Sequence, residues 1–455
     1  MKGDFSRITY NERKHYSLVL MQQGRVQLDS DWNEQGLHHW FGLQRLGEDL
    51  MGEHGGPSNH AAGFDIMERK DENGNLMPLD FTIGAGRYYV RGVVCENEAE
   101  QAYTGQEAYP FFYNNTEIVS GKRYLVYLHT WWRHITSVED EGIREVALGG
   151  PDTASRIQTV WQVKLVQLPN TGAIQDFKTR YGDFMKLLED KTVIKATTGK
   201  LQAQARKPTN ADQPCLTSPE SRYRGHENQL YRVEIHRGGP ACNSEDSTTS
   251  SEPCATFKWS RDNGSVVLPV VDRSAQAITL AHLGRDDGHA IKVGDWVELV
   301  DDAYEIQRRA EAIVKVIAVD PDTLRVTLSD TPAYELDLSK NPLLRRWDHT
   351  GGSLYEGAIP VEEGKWIELE DGVQIQFSKP GSESNSQHYY QSGAWWWIPA
   401  RTASGDVEWP RENDQPLEQG SLDAGDRYAP LALVETKSTG TVIKDYRRKF
   451  RQLWE

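Results

Sequence analysis

The chain has 455 residues, which is long enough for two or three domains with separate hydrophobic cores. Its apolar content of 38%, with 14 Trp and 19 Tyr, indicates a folded protein and argues against a disordered one. Acidic residues number 67 and basic residues 51, so the formal net charge is −16, which argues against nucleic acid or an anionic membrane as the main partner.

The first residues carry no recognisable targeting signal. "MKGDF" is followed by charged residues and lacks the apolar core of a signal peptide. The sequence also contains no run of 18 apolar residues, which a membrane-spanning helix needs. We therefore expect a cytoplasmic location during assembly, no direct membrane insertion, and export only as part of a larger particle.

The first predicted element is helical and lies within residues 11–50, where apolar residues recur at helical spacing. The glycine-rich stretch "GEHGGPSNHAAG" near residue 60 is typical of a linker. Beyond residue 80, short runs such as "GRYYVRGVVCE" and "RIQTVWQVKLVQL" predict strands, because they alternate and are rich in Val, Tyr and Trp. "DENGN" (71–75) predicts a tight turn, and "GDFMKLLEDK" (182–191) predicts a small inserted helix.

The second half of the chain is also predicted to be strand-rich. Residues 208–226 and 238–256 are typical of loops, while the strands and the "DPDT" turn that follow suggest a small barrel or sandwich. The terminal "TVIKDYRRKFRQLWE" indicates a short helix or strand. We predict a mainly β protein of several small β-sandwich or barrel-like domains with an N-terminal helical docking segment. The predicted domains are 1–60, 61–207 (with the helical insert), 208–340 and 341–455.

Candidate chemical motifs fail their spacing tests. Asp29, Asp31 and Asn33 imitate a calcium loop, but Glu34 and Trp40 replace the glycine and bidentate glutamate that the loop requires at its sixth and twelfth positions. The other candidates lack the spacing of a metal protease or a nucleophile elbow; they are His134, His226, Glu227, His236 and Ser260. Asp262, Asn263 and Gly264 predict a hairpin turn instead. We therefore predict no catalytic residue, no metal site and no cofactor.

Cysteines and tryptophans allow alternative interpretations. Cys95, Cys215, Cys242 and Cys254 form no CxxC pair, and a disulfide between the last two is left open. The tryptophans at 131, 132 and 395–397 suggest either core and interface packing or a glycan platform. Packing is favoured, since consecutive strand residues face opposite sides.

Several long blocks resemble a bacterial family of unknown function (DUF6519-like). They include "MKGDFSRITYNERKHYSLVLMQQGRVQLDSDWNEQ", "ENQLYRVEIH", "ATFKWSRDNGSVV" and "WWWIPARTASGDVEWP" and extend from residue 1 to about 410. Members of that family are found with phage-tail-like contractile injection systems, and the resemblance supplies no catalytic residues. The opening block is also similar in pattern to N-terminal segments of phage tail-fibre and baseplate-attached proteins.

These resemblances imply a structural, non-enzymatic component of such a particle, attached at the baseplate or forming a fibre-like or cage-like appendage. The expected partners are other particle proteins and further copies of the chain, as a trimer or hexamer. The alternative is a cell-envelope glycan-binding or glycan-hydrolysing protein carried by the particle. For the opening helix itself, the alternative is that it caps the first β domain of its own chain.

The predicted docking residues combine amides with large apolar side chains, because amides can pair with a neighbouring chain without the desolvation cost of a charge. They are Gln22, Gln23, Arg25, Gln27, Leu28, Trp32, Asn33, Gln35, Trp40, Phe450 and Trp454. The last two belong to a basic-aromatic end that we expect to lie on an acidic surface, of this chain or of a neighbour.

Overall fold

The computed structural model describes residues 1–58, 63–107, 118–170, 176–206, 222–242, 253–332, 337–351, 355–381, 387–437 and 440–451. Strands account for 39% of the chain and helices for 13%, so the predicted mainly β class, with several small sheets and an N-terminal helix, is confirmed.

The elements of the first half follow one another in this order: α1 Asp29–Met51, β1 His54–Pro57, β2 Ile66–Lys70, β3 Leu76–Ile83, β4 Gly86–Val90, β5 Val93–Asn97, β6 Gln101–Ala102, β7 Arg123–Ile135, β8 Arg156–Leu168, α2 Tyr181–Asp190, β9 Lys200–Ala205 and β10 Gln229–Ile235. Short 3-10 turns lie at Glu12–Lys14, Tyr103–Gly105, Glu141–Ile143 and Val146–Leu148.

The second half continues with β11 Gly239–Pro240, β12 Thr256–Ser260, β13 Val267–Ser274, β14 Ala277–Leu280, β15 Trp296–Val300, α3 Asp302–Gln307, β16 Val314–Asp320, β17 Arg325–Leu328, β18 Leu343–Trp347, β19 Ile359–Pro360, β20 Trp366–Glu368, β21 Val373–Phe377, β22 Tyr389–Tyr390 and β23 Trp395–Arg401. The last elements are β24 Asp406–Val407, β25 Arg411–Glu412, β26 Gln415–Pro416, β27 Gln419–Gly420, β28 Arg427–Lys437, β29 Gly440–Asp445 and β30 Lys449–Phe450.

The chain forms two compact units, each assembled from three separate stretches. Unit 1 comprises residues 1–9, 134–156 and 195–423, and unit 2 comprises residues 10–133, 157–194 and 424–455. The four predicted domain ranges stay predictions.

Unit 1 contains a five-stranded sheet in the order β19-β12-β10-β23-β24, a four-stranded sheet in the order β20-β21-β9-β27, and a closed barrel in the order β13-β14-β17-β16-β15-β18. The predicted small barrel is therefore present. Its interior is filled by alternate aliphatic residues of its strands, such as Ile278, Leu280, Val326 and Leu328. A disulfide joins Cys242 to Cys254, with the two Cα atoms 5.0 Å apart.

Unit 2 contains three sheets in the orders β30-β1-β4-β5, β2-β3-β6 and β29-β28-β7-β8. The predicted "DENGN" turn joins β2 to β3, and the Asp71 carboxylate accepts the backbone N–H groups of Asn73 and Asn75 at 2.9 and 2.8 Å. The predicted helix after residue 181 is α2, which buries Phe184 and Leu188.

Two local predictions are wrong. The stretch near residue 60 is not simply a linker, because residues 54–57 form β1, which pairs with β4 and with β30. Asn263 and Gly264 do adopt the positive φ of a tight turn, at 52° and 67°. They do not close a hairpin, however, since β12 pairs with β10 and β19 while β13 pairs with β14 and β18.

His54 makes the stability of unit 2 depend on pH. Its ring is fully buried beside the Tyr88 hydroxyl, and burial, with a smaller contribution from Arg448, lowers the pKa of His54 to about 3. The unfolded chain protonates this imidazole near its ordinary pKa of about 6.5. Because the folded pKa is the lower one, the contribution of His54 to the free energy of unfolding is fully present above about pH 6.5. It falls by roughly 1.4 kcal/mol per pH unit as the pH drops toward 3.

We expect urea unfolding to show this directly when the wild type is compared with His54→Gln from pH 8 to pH 5. The difference between their free energies of unfolding should be constant above about pH 6.5 and shrink below it. The matched control is His282→Gln at an exposed histidine, which should leave the wild-type pH dependence intact. A difference that does not change with pH would contradict the role given to His54.

Candidate functional site

The candidate site is built from α1 and the segment that precedes it in unit 2, residues 10–28, here called the N-terminal arm. The arm is held against α1 by a few specific contacts. The Tyr10 ring stacks on Phe41 with a centroid distance of 4.8 Å, and the Val19 N–H donates to the Gln35 side-chain oxygen at 2.6 Å. Glu12 forms an ion pair with Arg45 on the helix.

The opposite side of α1 rests on the sheets of unit 2. A Cβ atom added at Gly47 would lie 3.1 Å from the Cα atom of Gly92, so the helix and the β4–β5 turn touch backbone to backbone. Arg91 donates to Glu48 at 2.8 Å beside this contact. Further along, the Trp132 ring packs edge-on near Trp40 and Phe41, at centroid distances of 5.8 and 5.9 Å. The arm and the sheets therefore cover two sides of α1.

The remaining surface of the arm and of α1 is unusually apolar. Leu20 and Val26 in the arm are each 80% exposed, and Trp32 in the helix is 71% exposed. Further exposed large apolar residues in this stretch are Tyr16, Leu18, Met21, Leu28, Leu43, Leu46 and Leu50. Such a concentration of exposed apolar side chains within some 35 consecutive residues is the mark of an interaction surface.

The predicted docking residues occupy three kinds of environment. Gln22, Gln23, Arg25, Gln27, Leu28, Trp32 and Trp40 are exposed, Asn33, Gln35 and Phe450 are half-buried, and Trp454 lies outside the described residues. The first nine belong to the arm and α1, whereas Phe450 lies in β30. Sequence reasoning missed Leu43, Leu46 and Leu50, although their helical spacing from Trp32 could have revealed them.

The basic-aromatic C-terminal end lies on acidic groups of its own unit. Arg447 is buried and donates to Asp65 at 2.6 Å and to Asp445 at 2.9 Å. Arg448 donates to Glu53 at 2.7 Å, and the Phe450 ring packs over the β1 backbone at Gly55. These contacts tie β30 to β1 and give the positive charges partners within the chain.

Two of the candidate catalytic side chains, His134 and Ser260, take part in structural contacts, whereas His226 and Glu227 are exposed. His134 is hydrogen-bonded to the Ser155 hydroxyl at 2.8 Å, and burial holds its pKa well below the usual range. Glu139, five residues after His134, accepts from the Thr136 N–H at 2.8 Å. The buried Ser260 hydroxyl accepts the N–H of Asp262 at 3.3 Å. Within the described ranges, no group of three or more His, Cys, Asp or Glu residues could hold a metal ion.

A buried charge cluster in unit 1 is a polar feature that sequence reasoning missed. Lys258 donates to both Glu298 carboxylate oxygens at 2.8 and 2.7 Å, and Glu298 also accepts from Trp347 at 2.9 Å and Tyr304 at 2.8 Å. Burial alone would raise the pKa of Glu298, but the nearby positive charges, Lys258 foremost, hold it at about 2.

The cluster extends to the neighbouring pair on β10. Arg232 donates to Glu234 at 2.6 Å, and Lys258 lies 3.5 Å from the same carboxylate. Lys2 reaches Glu234 at 3.5 Å. The signal in the sequence was the charged residues within the otherwise apolar strands "LYRVEI" and "TFKWS". Charges in strands buried on both faces require partners, so the cluster is a structural element of the core.

The sheets, the barrel and the N-terminal helix define a mainly β protein whose described residues include an exposed apolar N-terminal segment in unit 2. The chain belongs to a family of unknown function (DUF6519), which it matches over residues 1–191 and 184–427. No curated protein and no solved structure matches it. Among the described residues, no helix is long and apolar enough to cross a membrane.

Proposed function

We propose that the chain is a structural, non-enzymatic component of a contractile injection system or phage-tail-like particle, attached at the baseplate or as a fibre-like or cage-like appendage. The observation that carries the proposal is the concentration of exposed apolar side chains in the N-terminal arm and α1. A surface of this kind is costly in water unless another protein covers it.

The arm is suited to attachment by its backbone as well as by its side chains. Within the described part of the chain, no strand pairs with residues 15–28. The Val19 N–H is bonded to Gln35 and the Arg25 N–H to the Gln22 carbonyl. A segment without strand partners can add to a sheet of a neighbouring protein, while its alternate side chains enter pockets there. Leu18 and Leu20 have this alternate spacing and are both exposed. Other particle proteins are the proposed partners, with the chain itself present as a trimer or hexamer.

Two of the side chains first considered for catalysis, His134 and Ser260, support a non-enzymatic role in the proposal, since they are engaged in local hydrogen bonds. The proposal places the chain in the cytoplasm during assembly and in the particle thereafter, without nucleic acid or membrane insertion as its mode of attachment. The net charge of −16 agrees with this choice.

Substitutions in the arm test attachment better than removal of residues 1–45. Such a deletion would also remove Lys2, which contacts Glu234 in unit 1, and Gly3, whose carbonyl accepts from the buried Asn263 amide at 2.9 Å. It would end inside α1 as well. Loss of attachment would then be confounded with damage to the core.

The prediction is that the double variant Leu20→Asp and Val26→Asp folds normally but is lost from the particle. Both side chains are 80% exposed, so the introduced aspartates should have little effect on folding. Their charges oppose burial against a partner, because burying a charge without a partner group is costly. We expect at least about a tenfold loss, equivalent to about 1.4 kcal/mol, in the amount of chain that sediments with particles from producing cells.

The matched control is Val146→Asp with Leu148→Asp, since these side chains are 85% and 70% exposed and lie in unit 1. This control should sediment with the particles like the wild type, and cryo-EM should locate its density on them. Equal incorporation of the arm variant and the control would contradict the attachment role.

A further inference from the structure

The disulfide in unit 1 joins two backbone segments that also bind each other directly. Cys242 follows β11 and Cys254 precedes β12, and their Cα atoms are 5.0 Å apart. Next to the pair, the Ala255 N–H donates to the Pro240 carbonyl at 2.7 Å. The two segments are therefore held side by side by the backbone as well as by the sulfur atoms.

A third segment supports both sides of the pair. The Val361 carbonyl accepts from the Cys242 N–H at 2.8 Å, and the Val361 N–H donates to the Ala255 carbonyl at 2.9 Å. Val361 and Ala255 are both fully buried in the apolar core that the sheets of unit 1 share. A Cβ atom added at Gly239 would lie 2.5 Å from the Pro253 carbonyl oxygen, so the segments also touch backbone to backbone. These contacts involve no sulfur atom, and they hold the cysteines adjacent when the S–S bond is broken.

The surroundings of the pair also suit the reduced form. The Cys242 Sγ atom lies 3.2 Å from the Ala255 carbonyl oxygen, to which a thiol at this position donates its S–H. Both cysteines are half-buried, so the bond is not sealed inside the core. Accessible disulfides are the ones that exchange with small thiols. The pair therefore has the geometry of a bond that can open and close in the folded protein.

Cys95 in unit 2 has the opposite properties. It is only 1% exposed, and burial raises the pKa of its thiol to about 12. Because the thiolate is the reactive form of cysteine, Cys95 should be inert near neutral pH. It serves as an internal reference for any measurement on the pair.

We propose that Cys242 and Cys254 form a reversible thiol–disulfide switch, which is open while the chain is assembled in a reducing cytoplasm and closes once the particle leaves it. The timing rests on the proposed function, whereas the reversibility rests only on the geometry of the pair. Disulfides persist in oxidising surroundings, and cytosolic thiol systems keep cysteines reduced. The chain thus folds and assembles without the cross-link and acquires it after release.

The oxidant in this step is a low-molecular-weight disulfide of the glutathione class. One cysteine thiolate attacks a sulfur atom of the oxidant, which forms a mixed disulfide and releases one small thiol. The second cysteine thiolate attacks the protein sulfur of the mixed disulfide, which forms the Cys242–Cys254 bond and releases the second small thiol. The two thiol protons end on the released thiols, and the two electrons reduce the S–S bond of the oxidant.

Closure of the switch should stabilise unit 1 without changing its fold. The bond connects residues that are 12 positions apart, so it removes conformations from the unfolded chain. For a loop of this length, we expect the equilibrium constant for unfolding of unit 1 to fall on the order of 100-fold. The backbone contacts at Val361 and Ala255 are present in both states.

A glutathione titration of the full chain tests reversibility. A chain carrying Cys215→Ser is equilibrated in mixtures of reduced and oxidised glutathione without denaturant, and its free thiols are alkylated and assigned by mass spectrometry. We expect Cys242 and Cys254 to lose their reactivity together as the mixture becomes oxidising and to regain it on return. Cys95 should stay unlabelled and the circular dichroism unchanged. A bond that opens only in urea, a chain that unfolds on reduction, or a pair that never oxidises would overturn the proposal.

Urea unfolding measures the gain in stability. The oxidised wild type should have an unfolding constant for unit 1 on the order of 100-fold lower than that of the reduced wild type. The double variant Cys242→Ser and Cys254→Ser should match the reduced wild type and no longer respond to the redox buffer. Cys215→Ser is the matched control and should respond like the wild type. Equal stability of the oxidised and reduced wild type, a comparison that needs no substitution, would contradict the switch.

Thiol trapping in producing cells tests the timing. Cells and released particles are quenched in acid and alkylated, and we expect free Cys242 and Cys254 thiols in the cells and the disulfide in the particles. A pair already oxidised inside the cells, or still reduced in the particles, would overturn the timing. A chain that is absent from the particles would contradict the proposed function and the timing with it, whereas the glutathione titration would still decide whether the pair is reversible.

Discussion

Gly92→Ala is expected to detach α1 from the sheets of unit 2 while leaving those sheets folded. Gly92 has a φ of +74°, and a Cβ atom there would lie 1.9 Å from the carbonyl oxygen of Gln44 in the helix. Left-handed backbone costs a non-glycine residue about 1–2 kcal/mol. The clash adds to this cost and is relieved only if the helix lifts away. Hydrogen exchange should therefore show α1 amides losing protection at least tenfold (about 1.4 kcal/mol) while β7 and β28 keep theirs.

Gly74→Ala separates the two effects. Its φ is +81°, close to that of Gly92, but nothing lies within 4 Å of the added Cβ atom. This variant should lower the stability of the β2–β3 turn through backbone strain alone. The amides of α1 should keep their wild-type protection from hydrogen exchange. If both variants changed the hydrogen-exchange protection of α1 equally, the Gly47–Gly92 contact would not be what holds the helix against the sheets.

Lys258→Met should be among the most destabilising single substitutions in unit 1. It removes the cation that donates twice to the buried Glu298 and lies 3.5 Å from the buried Glu234. Breaking a buried ion pair by removing one partner leaves an uncompensated charge and costs about 3–5 kcal/mol. Urea unfolding followed by tryptophan fluorescence should show this as a fall in the midpoint of unit 1.

Two further variants make the test specific. Adding Glu298→Gln to Lys258→Met removes the uncompensated negative charge but keeps an acceptor for Trp347 and Tyr304. The double variant should therefore lose less stability than the sum of the losses in the two single variants. Lys365→Met breaks an exposed pair with Glu362 and should cost less than about 1 kcal/mol. A Lys258→Met protein as stable as Lys365→Met would contradict the role of the cluster.

Local signals predicted local structure well. Alternation identified the strands around Tyr124 and Val163, and helical spacing identified α1 and α2. The turn at 71–75 was predictable because Asp71 binds the N–H groups of its own turn. The hairpin at Asp262 was wrong, since Asn263 and Gly264 specify a local turn but not which strands pair on either side of it.

The sequence predicted where the site lies, but only partly which of its side chains are exposed. The mixture of amides and tryptophans in "QQGRVQLDSDWNEQ" predicted an interaction segment, and residues 16–50 do carry exposed apolar side chains. Which of these side chains are exposed to solvent could not be derived from their spacing alone. Trp32 and Phe41 both fit a helical apolar pattern, yet Trp32 is exposed and Phe41 packs against Tyr10 and Trp132.

The sequence by itself determined the fold class, the helix at the N-terminus and the strand-rich remainder, because side-chain periodicity and turn chemistry act over a few residues. Only the tertiary structure decided what depends on residues far apart in the chain. Lys258 is bonded to Glu298, 40 residues further along the chain. Gly92 contacts a helix that begins 63 residues earlier. The exposed side of α1 belongs to this second group, since the packing of the arm and the sheets of unit 2 decides which helix residues stay exposed.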